Sequence, residues 1–286
     1  MSITSSTLLV ELNISVWTAN KLDKETTNKV TADNNAVAGS GQFRKNLDAG
    51  TNLRKEIADY AAGCRLWHNS RTLPWSDKGP RLLATSLFLD YKSELNIRRA
   101  TFDKMVINFM TNYPSLVSTA HNYLGTLFNS DDYPSEDEVR AKFGFRFSAS
   151  QLPESGDIRV DLPKQDLDEL RRENEEIFES RLGEAMREPW DKLHKLIADT
   201  SKKLTDADNE EDQNKRRYHD TLITNAQSLC GLLTHLNITK DPKLEQARRD
   251  LELTMLGADI DVIKESPEVR KSLKTKLDAI LGQYEW

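Results

Sequence analysis

Two short runs of alternating apolar residues limit what this sequence can fold into more than any other feature. The first run is aromatic and the second is aliphatic: Phe143, Phe145, Phe147, Ile158, Val160 and Leu162. A period of two places such residues on one face of a β-strand. The residues from Pro153 to Gly156, between the runs, favour a tight turn. The pattern therefore predicts a β-hairpin with one apolar face and with Arg146 on the other.

The N-terminus holds the other clean alternation, in which every second residue from Leu8 to Val16 is apolar. A hairpin alone is only marginally stable in water and needs a further strand or a helix against it. We therefore expect the N-terminal strand to pair with the hairpin in a small three-stranded antiparallel sheet.

Most of the remaining sequence has apolar residues at the three- and four-residue spacing of amphipathic helices. Helices are predicted from about residue 51 to 71, from Leu82 to Phe109, and from Pro114 to Phe128. The break at Pro114 is expected because the residue before a proline avoids the α region. Helix-start signals stand at Ser135–Glu138, Asp241–Pro242 and Ser266–Pro267.

Beyond Pro163 the sequence is highly charged, with one apolar stripe that predicts a long helix bent at Pro189. An acidic loop at 206–214 and a returning helix complete an antiparallel αα-hairpin over 164–237. The predicted fold class is α+β and mainly α-helical. Its predicted domains are an α+β domain, residues 1–163, and a charged helical domain, residues 164–286.

Composition and charge exclude several classes of protein. The chain is 37% hydrophobic and 30% charged, which is typical of a globular protein rather than a disordered one. No apolar run approaches the roughly 18 residues of a membrane span, and Glu11 comes too early for a signal peptide. Cys64 and Cys230 are predicted to be reduced and buried, with no disulfide between them. The net charge is −6, yet Gly41–Thr111 holds 12 basic and 7 acidic residues, a local excess of +5.

No recognised catalytic or metal-binding motif occurs in the sequence. The histidines are scattered, without the spacing of metal ligands: His68, His121, His194, His219 and His235. The carboxylates of residues 166–191 fit the solvent-facing side of an amphipathic helix. The sequence therefore predicts a protein without catalysis, metal or cofactor.

One turn, Thr72–Arg81, concentrates residues that bind partners in other proteins. It contains Trp75, Asp77, Lys78 and Arg81. In the favoured interpretation Trp75 anchors the turn to the core. In the other, the turn is a recognition loop in which Trp75 is an exposed contact residue, and Lys78 and Arg81 bind an anion.

The basic excess of Gly41–Thr111 raises an alternative, a single-stranded DNA or RNA surface. Its candidate contacts are the basic residues Arg44, Lys45, Arg54, Lys55, Arg65 and Arg71. Exposed aromatic residues among basic ones suit single strands. However, Tyr60, Trp67 and Tyr91 fall on the apolar helix stripes, so core packing is the better explanation for them.

Four segments carry a resemblance to a known family: TLPWSDKGPRLL, FLDYKSE, LGTLFNSDDYPSEDEVRAKFGFRF and LPESGDIRVDL. Together they resemble a family of uncharacterised proteins, or domains of unknown function, from tailed bacteriophages and their bacterial hosts, over about residues 8–162. The resemblance implies a phage-encoded accessory protein. Some relatives are encoded near MoxR-type AAA+ ATPases, which implies a helical adaptor with such an ATPase as partner.

These observations favour a non-enzymatic interaction, assembly or adaptor protein in the host cytoplasm. Its expected partner is another protein or a second copy of itself, with no membrane contact. The alternative is a single-stranded DNA or RNA-binding protein in phage nucleic-acid metabolism.

Overall fold

The computed structural model describes residues 3–77, 79–205 and 220–286. Helices make up 66% and strands 11% of the structure described, which confirms the predicted mainly helical α+β class. The elements in chain order are α1 Ile3–Ser6, β1 Thr7–Ser15, β2 Asn20–Leu22, α2 Lys24–Asp33, β3 Arg44–Asn46, α3 Leu53–Arg71, β4 Leu73–Pro74, β5 Arg81–Ala84, α4 Phe88–Thr119, α5 His121–Leu124, α6 Glu136–Arg140, β6 Gly144–Gln151, α7 Lys164–Thr205, α8 Thr221–Leu236, α9 Pro242–Met255, α10 Ile260–Glu265 and α11 Pro267–Gln283. No described helix is long and apolar enough to cross a membrane.

The main sheet has the strand order β4-β5-β1-β6, so the predicted N-terminal strand does lie beside the strand of the aromatic run. Its other two strands come from an unexpected place. β4 and β5 form an antiparallel pair within Thr72–Ala84, where the sequence predicted a turn and then a helix from Leu82. The predicted helix start is wrong, because Leu82–Ala84 belong to β5 and α4 begins at Phe88. Leu82 and Leu83 of β5 pair with Leu9 and Leu8 of β1. Pro74 fits because β4 is the edge strand, where a missing N–H breaks no ladder bond.

The predicted second strand of the hairpin, Ile158–Leu162, is wrong. This segment has no regular secondary structure, and Val160 and Leu162 are 51% and 44% exposed. Because β5 and β4 supply the additional strands, the sheet does not need the second apolar run. The alternation of apolar residues did not by itself indicate which segments would pair with β1 and β6.

The first aromatic run behaves as predicted. Phe145 is buried against Phe102, while Phe143 contacts Phe109 and Phe147 contacts Tyr91. Arg146, between them, is exposed. The three phenylalanine rings therefore share one face of β6, which packs on α4.

The chain divides into two compact units that are not contiguous in sequence. Unit 1 contains Met1–Glu11, Asn69–Leu89 and Ala149–Trp286, and unit 2 contains Leu12–His68 and Asp90–Ser148. This division differs from the predicted boundary at residue 163. Each unit is assembled from segments that are far apart in the chain.

Unit 2 is built on α3 and α4. Helix α4 continues through Pro114 to Thr119, so the predicted stop there is wrong. Tyr113, just before the proline, packs on Trp17 and donates a 2.7 Å hydrogen bond to the carbonyl of Pro134. These contacts offset the backbone hydrogen bond that a proline removes. The capping box at Ser135 and Glu138 is confirmed, and Cys64 is buried.

Unit 1 holds the helical half of the chain. Helix α7 is continuous through Pro189 and packs chiefly against α11, while α8 packs chiefly against α9. The two helices of the predicted αα-hairpin, α7 and α8, also contact each other. Their shared core contains Leu193, Ile197, Leu204, Leu222, Ala226 and the buried Cys230. The predicted acidic loop, 206–214, and His219 lie outside the described residues. Asp241 and Ser266 cap α9 and α11 as predicted.

Candidate functional site

Trp75 anchors the β4–β5 turn of unit 1, as the favoured interpretation predicted. Its side chain is 8% exposed, and its ring meets that of Phe178 on α7 edge to face, 5.1 Å between centroids. The buried residues of the same cluster are Leu73, Leu82, Leu152, Ala185 and Leu236. A side chain in this position fills the core and has little surface for a partner.

Arg81 is half-buried and stabilises the same turn through hydrogen bonds. Its guanidinium donates to the Thr72 hydroxyl at 2.7 Å and to the Thr72 carbonyl at 3.0 Å. It also contacts the Asn69 carbonyl and the Glu188 carboxylate. Asp77 is exposed, and Lys78 lies outside the described residues. Since Trp75 is buried and the Nε and one terminal nitrogen of Arg81 donate to acceptors of unit 1, the structure does not bring Trp75 and Arg81 together as a surface site.

The basic residues proposed for nucleic acid are mostly held by unit 2 itself. Lys45 is buried beside Asp132 and Asp23, and the hydrogen bond with Asp132 raises its pKa. Arg54 lies 2.5 Å from Asp48, and Lys55 pairs with Asp59. Charges that are neutralised in this way contribute little to a phosphate surface.

The remaining members of that set are more exposed. In unit 2, Arg65 donates to the Ile14 carbonyl at 2.7 Å, and Arg44 donates to the Gln42 side chain at 3.1 Å. Arg71, in unit 1, makes no hydrogen bond or ion pair with the residues that the structure describes. Among the six basic residues, and within the described ranges, Arg71 alone has no acceptor from the protein.

The aromatic residues of α3 and α4 are packed together in unit 2. Trp67 stacks on Tyr91 at 4.8 Å, and Arg98 covers the Trp67 ring at 4.7 Å. The hydroxyl of Tyr60 donates to the Arg98 carbonyl. Tyr91 is buried as predicted, while Trp67 and Tyr60 are half-buried. The contacts of Trp67 with Tyr91 and Arg98 leave less of its ring available for a base.

The histidines lie in separate surroundings. His68 is buried and shares a 2.7 Å hydrogen bond with the Tyr91 hydroxyl, whose pKa is raised by burial. His121 contacts the Ser118 carbonyl, and the ring of His194 lies against Trp286. His235 Nδ1 is 2.9 Å from the Ser86 hydroxyl on the surface of unit 1, where this contact links α8 to the turn after β5. The described residues include no group of three or more His, Cys, Asp or Glu side chains that could hold a metal ion.

One groove of unit 1 was not predicted from the sequence. A groove of about 350 Å³ lies between the end of α9, helix α10 and the start of α11. Leu256 is 76% exposed, and Val262 and Val269 also reach solvent. Ile263 and Leu273 are buried beneath them. We call this surface the α9–α11 groove.

The helical pattern of α9 held a signal for this groove. The buried face of α9 is Leu244, Ala247, Leu251 and Met255, in steps of three and four. Leu253, which is 67% exposed, and Leu256 lie off this stripe. Apolar residues away from the core stripe of an amphipathic helix indicate a second apolar contact.

No protein-family model, no curated protein and no solved structure matches the chain. The resemblance to a tailed-bacteriophage family therefore stays a prediction.

Proposed function

We propose that this protein is a non-enzymatic interaction factor that binds a protein partner through the α9–α11 groove. The observation that carries the proposal is the exposure of Leu256, Val262 and Val269 along one groove of unit 1. Exposed aliphatic side chains that line a concavity favour burial by a partner, since each gains free energy on leaving water. The adaptor role in the host cytoplasm, and an AAA+ ATPase as partner, belong to the same proposal.

The groove suits a short amphipathic helix of the partner rather than a whole second copy. Three exposed aliphatic side chains, Leu256, Val262 and Val269, line its volume of about 350 Å³, whereas a stable dimer buries about 800 Å² on each side. Grooves between helices commonly accept a helix through anchors spaced by three or four residues. The size of the apolar surface therefore favours a segment of two or three turns.

Charge at the rim adds a preference. Asp259 and Glu268 line the groove together with Lys276. Hydrogen bonds from its own backbone N–H and with the Ser266 side chain lower the pKa of Glu268, so it stays ionised at neutral pH. Asp259 caps α10 through its carboxylate. The proposed partner segment thus carries an apolar row with a basic residue beside it.

The test compares two leucine substitutions on helices. Leu256→Asp places a charge in the groove, and the control Leu66→Asp places one on the exposed face of α3, where Leu66 is 71% exposed. Proteins captured by the tagged wild type and by Leu66→Asp, but not by Leu256→Asp, would be identified and purified. We expect direct titration with the purified partner to show affinity at least 10-fold weaker for Leu256→Asp.

Three outcomes contradict the proposal. Equal affinity of the purified partner for Leu256→Asp and wild type places its site elsewhere. A wild-type dimer in sedimentation that becomes a monomer with Leu256→Asp makes a second copy the occupant. Tight oligonucleotide binding that weakens steeply with added salt supports the nucleic-acid alternative instead.

A further inference from the structure

A second concavity of unit 1 lies between the end of α3, helix α7 and helix α8. Its volume is about 460 Å³, and it shares no lining residue with the α9–α11 groove. Volumes of about 300–1,000 Å³ are usual for small-molecule sites. The lining residues divide into an apolar floor, Leu196, Leu229 and Leu232, and a polar wall, Ser70, Arg71, Lys192, Lys195, Asp199, Asn225 and Ser228.

The polar wall consists mainly of hydrogen-bond donors with unused capacity. Within the described ranges, the side chains of Arg71, Lys195, Asn225 and Ser228 make no hydrogen bond or ion pair. This differs from Lys45, Arg54 and Arg81, which are all held by acceptors of their own unit. The four side chains come from all three helices, so the fold brings together donors that are far apart in the sequence.

The charge balance of the cavity is positive. Arg71, Lys192 and Lys195 are opposed inside it by Asp199 alone. Lys192 is matched outside the cavity by Glu188, 2.7 Å away. One net positive charge remains after that pair is removed. An anion placed here meets a guanidinium, an ammonium, a hydroxyl and an amide, each of which donates hydrogen bonds.

We propose that this cavity binds a small phosphate ester with an apolar or aromatic organic group. A phosphate offers several acceptor oxygens to the converging donors, and the fork of Arg71 fits two of them at once. The leucine floor contacts the organic group and adds the binding free energy of apolar burial. The site is independent of the proposed protein-binding groove.

The experiment titrates the whole protein with three probes and follows amide chemical shifts by NMR. Phenyl phosphate carries both halves of the proposed ligand, inorganic phosphate only the anion, and benzyl alcohol only the ring. We expect phenyl phosphate to bind with a Kd of about 1 mM or tighter and to bind better than either other probe.

Substitutions of opposite sign make the test sharper. Arg71→Ala and Lys195→Ala should each weaken phenyl phosphate binding about 10-fold, because each removes a charged donor. Asp199→Asn should strengthen it several-fold by removing the one opposing charge. Lys243→Ala, an exposed lysine of α9 outside the cavity, should leave it unchanged. Thermal denaturation of every variant checks that the fold is retained.

Several results would overturn the inference. The first is the absence of saturable amide chemical-shift changes when phenyl phosphate is added to a concentration 10-fold above about 1 mM. Equal weakening by Lys243→Ala and Arg71→Ala, or weaker binding in Asp199→Asn, would exclude a specific anion site. If inorganic phosphate binds as tightly as phenyl phosphate, the leucine floor makes no contribution to binding and the apolar part of the proposal is wrong. If a ten-nucleotide thymidine strand binds to the protein and phenyl phosphate does not, the basic side chains of the cavity would be contacts for nucleic acid instead.

Discussion

In the β4–β5 turn and the α9–α11 groove, both in unit 1, residue type is a poor guide to which side chains are exposed. The turn combines Trp75 with Arg81, residues common in binding hot spots; the structure buries Trp75 and holds the half-buried Arg81 in hydrogen bonds of its own unit. The groove consists of ordinary aliphatic side chains on amphipathic helices, and it leaves Leu256 at 76% exposure. Residue type therefore says what a side chain is able to do, whereas tertiary packing decides whether it is still available for a partner.

The largest expected effect on stability is that of a substitution in the β4–β5 turn. Trp75→Ala removes a buried ring from the Phe178 contact and opens a cavity, so it should lower the free energy of unfolding by about 3–5 kcal/mol. Urea denaturation measures this loss. A change below about 1 kcal/mol would mean that Trp75 is a surface residue and that the turn is available for recognition after all.

Arg81→Ala should have the next largest effect. It removes the donors to Thr72 and should cost about 2 kcal/mol, because the buried Thr72 carbonyl loses a charged partner. Asp77→Ala is the matched control in the same turn, and its side chain is exposed, so it should change stability by less than about 0.5 kcal/mol. Equal losses in the two variants would contradict the structural role of Arg81.

The contribution of the Glu245–Arg248 contact on α9 to stability should depend on pH. The hydrogen bond with Arg248 lowers the pKa of Glu245 to about 2 from the usual 4.5. A carboxylate whose folded pKa is lowered adds stability above its unfolded pKa, and this stability is lost as pH falls through the folded pKa. We expect Glu245 to contribute about 1–2 kcal/mol at neutral pH after screening, lost between about pH 5 and 2.

Glu245→Gln tests this expectation. Its free energy of unfolding should lie below that of the wild type at pH 7, and the two curves should converge near pH 2. Chemical denaturation at a series of pH values measures both. A difference that persists unchanged down to pH 2 would show that the carboxylate charge is not the cause.

The smallest expected effect on stability is that of a substitution in the α9–α11 groove. Leu256→Asp should change the free energy of unfolding by no more than about 0.5 kcal/mol, since its side chain is already in water. Thermal denaturation and urea midpoints check this. A loss of several kcal/mol would place Leu256 in the folded core and remove the basis for the proposed partner site.

Local patterns in the sequence determined a large part of this fold. The alternation of Phe143, Phe145 and Phe147 placed one face of β6 on the core, and the capping residues marked the starts of α6, α9 and α11. These features depend on neighbours within a few residues, because strand alternation and capping are short-range effects. The anchoring of Trp75 also followed from a general preference of tryptophan for burial.

Only the tertiary structure decided which segments would pair and which side chains would remain free. The strands of Leu73–Ala84 joined the sheet on the side of β1 away from β6, and Ile158–Leu162, predicted as the hairpin partner of β6, stayed outside it. Strand pairing is a competition between segments far apart in the chain. The same holds for the candidate sites. Arg71 and Arg81 belong to one short stretch of sequence, yet Arg81 meets Thr72 and Glu188 while Arg71 lines an open cavity. Three of the four acceptors of Arg81 lie on Asn69 and Thr72, which the pairing of β4 with β5 brings close, and only Glu188 comes from a distant helix. The sequence pattern predicted neither that strand pairing nor the packing of α7.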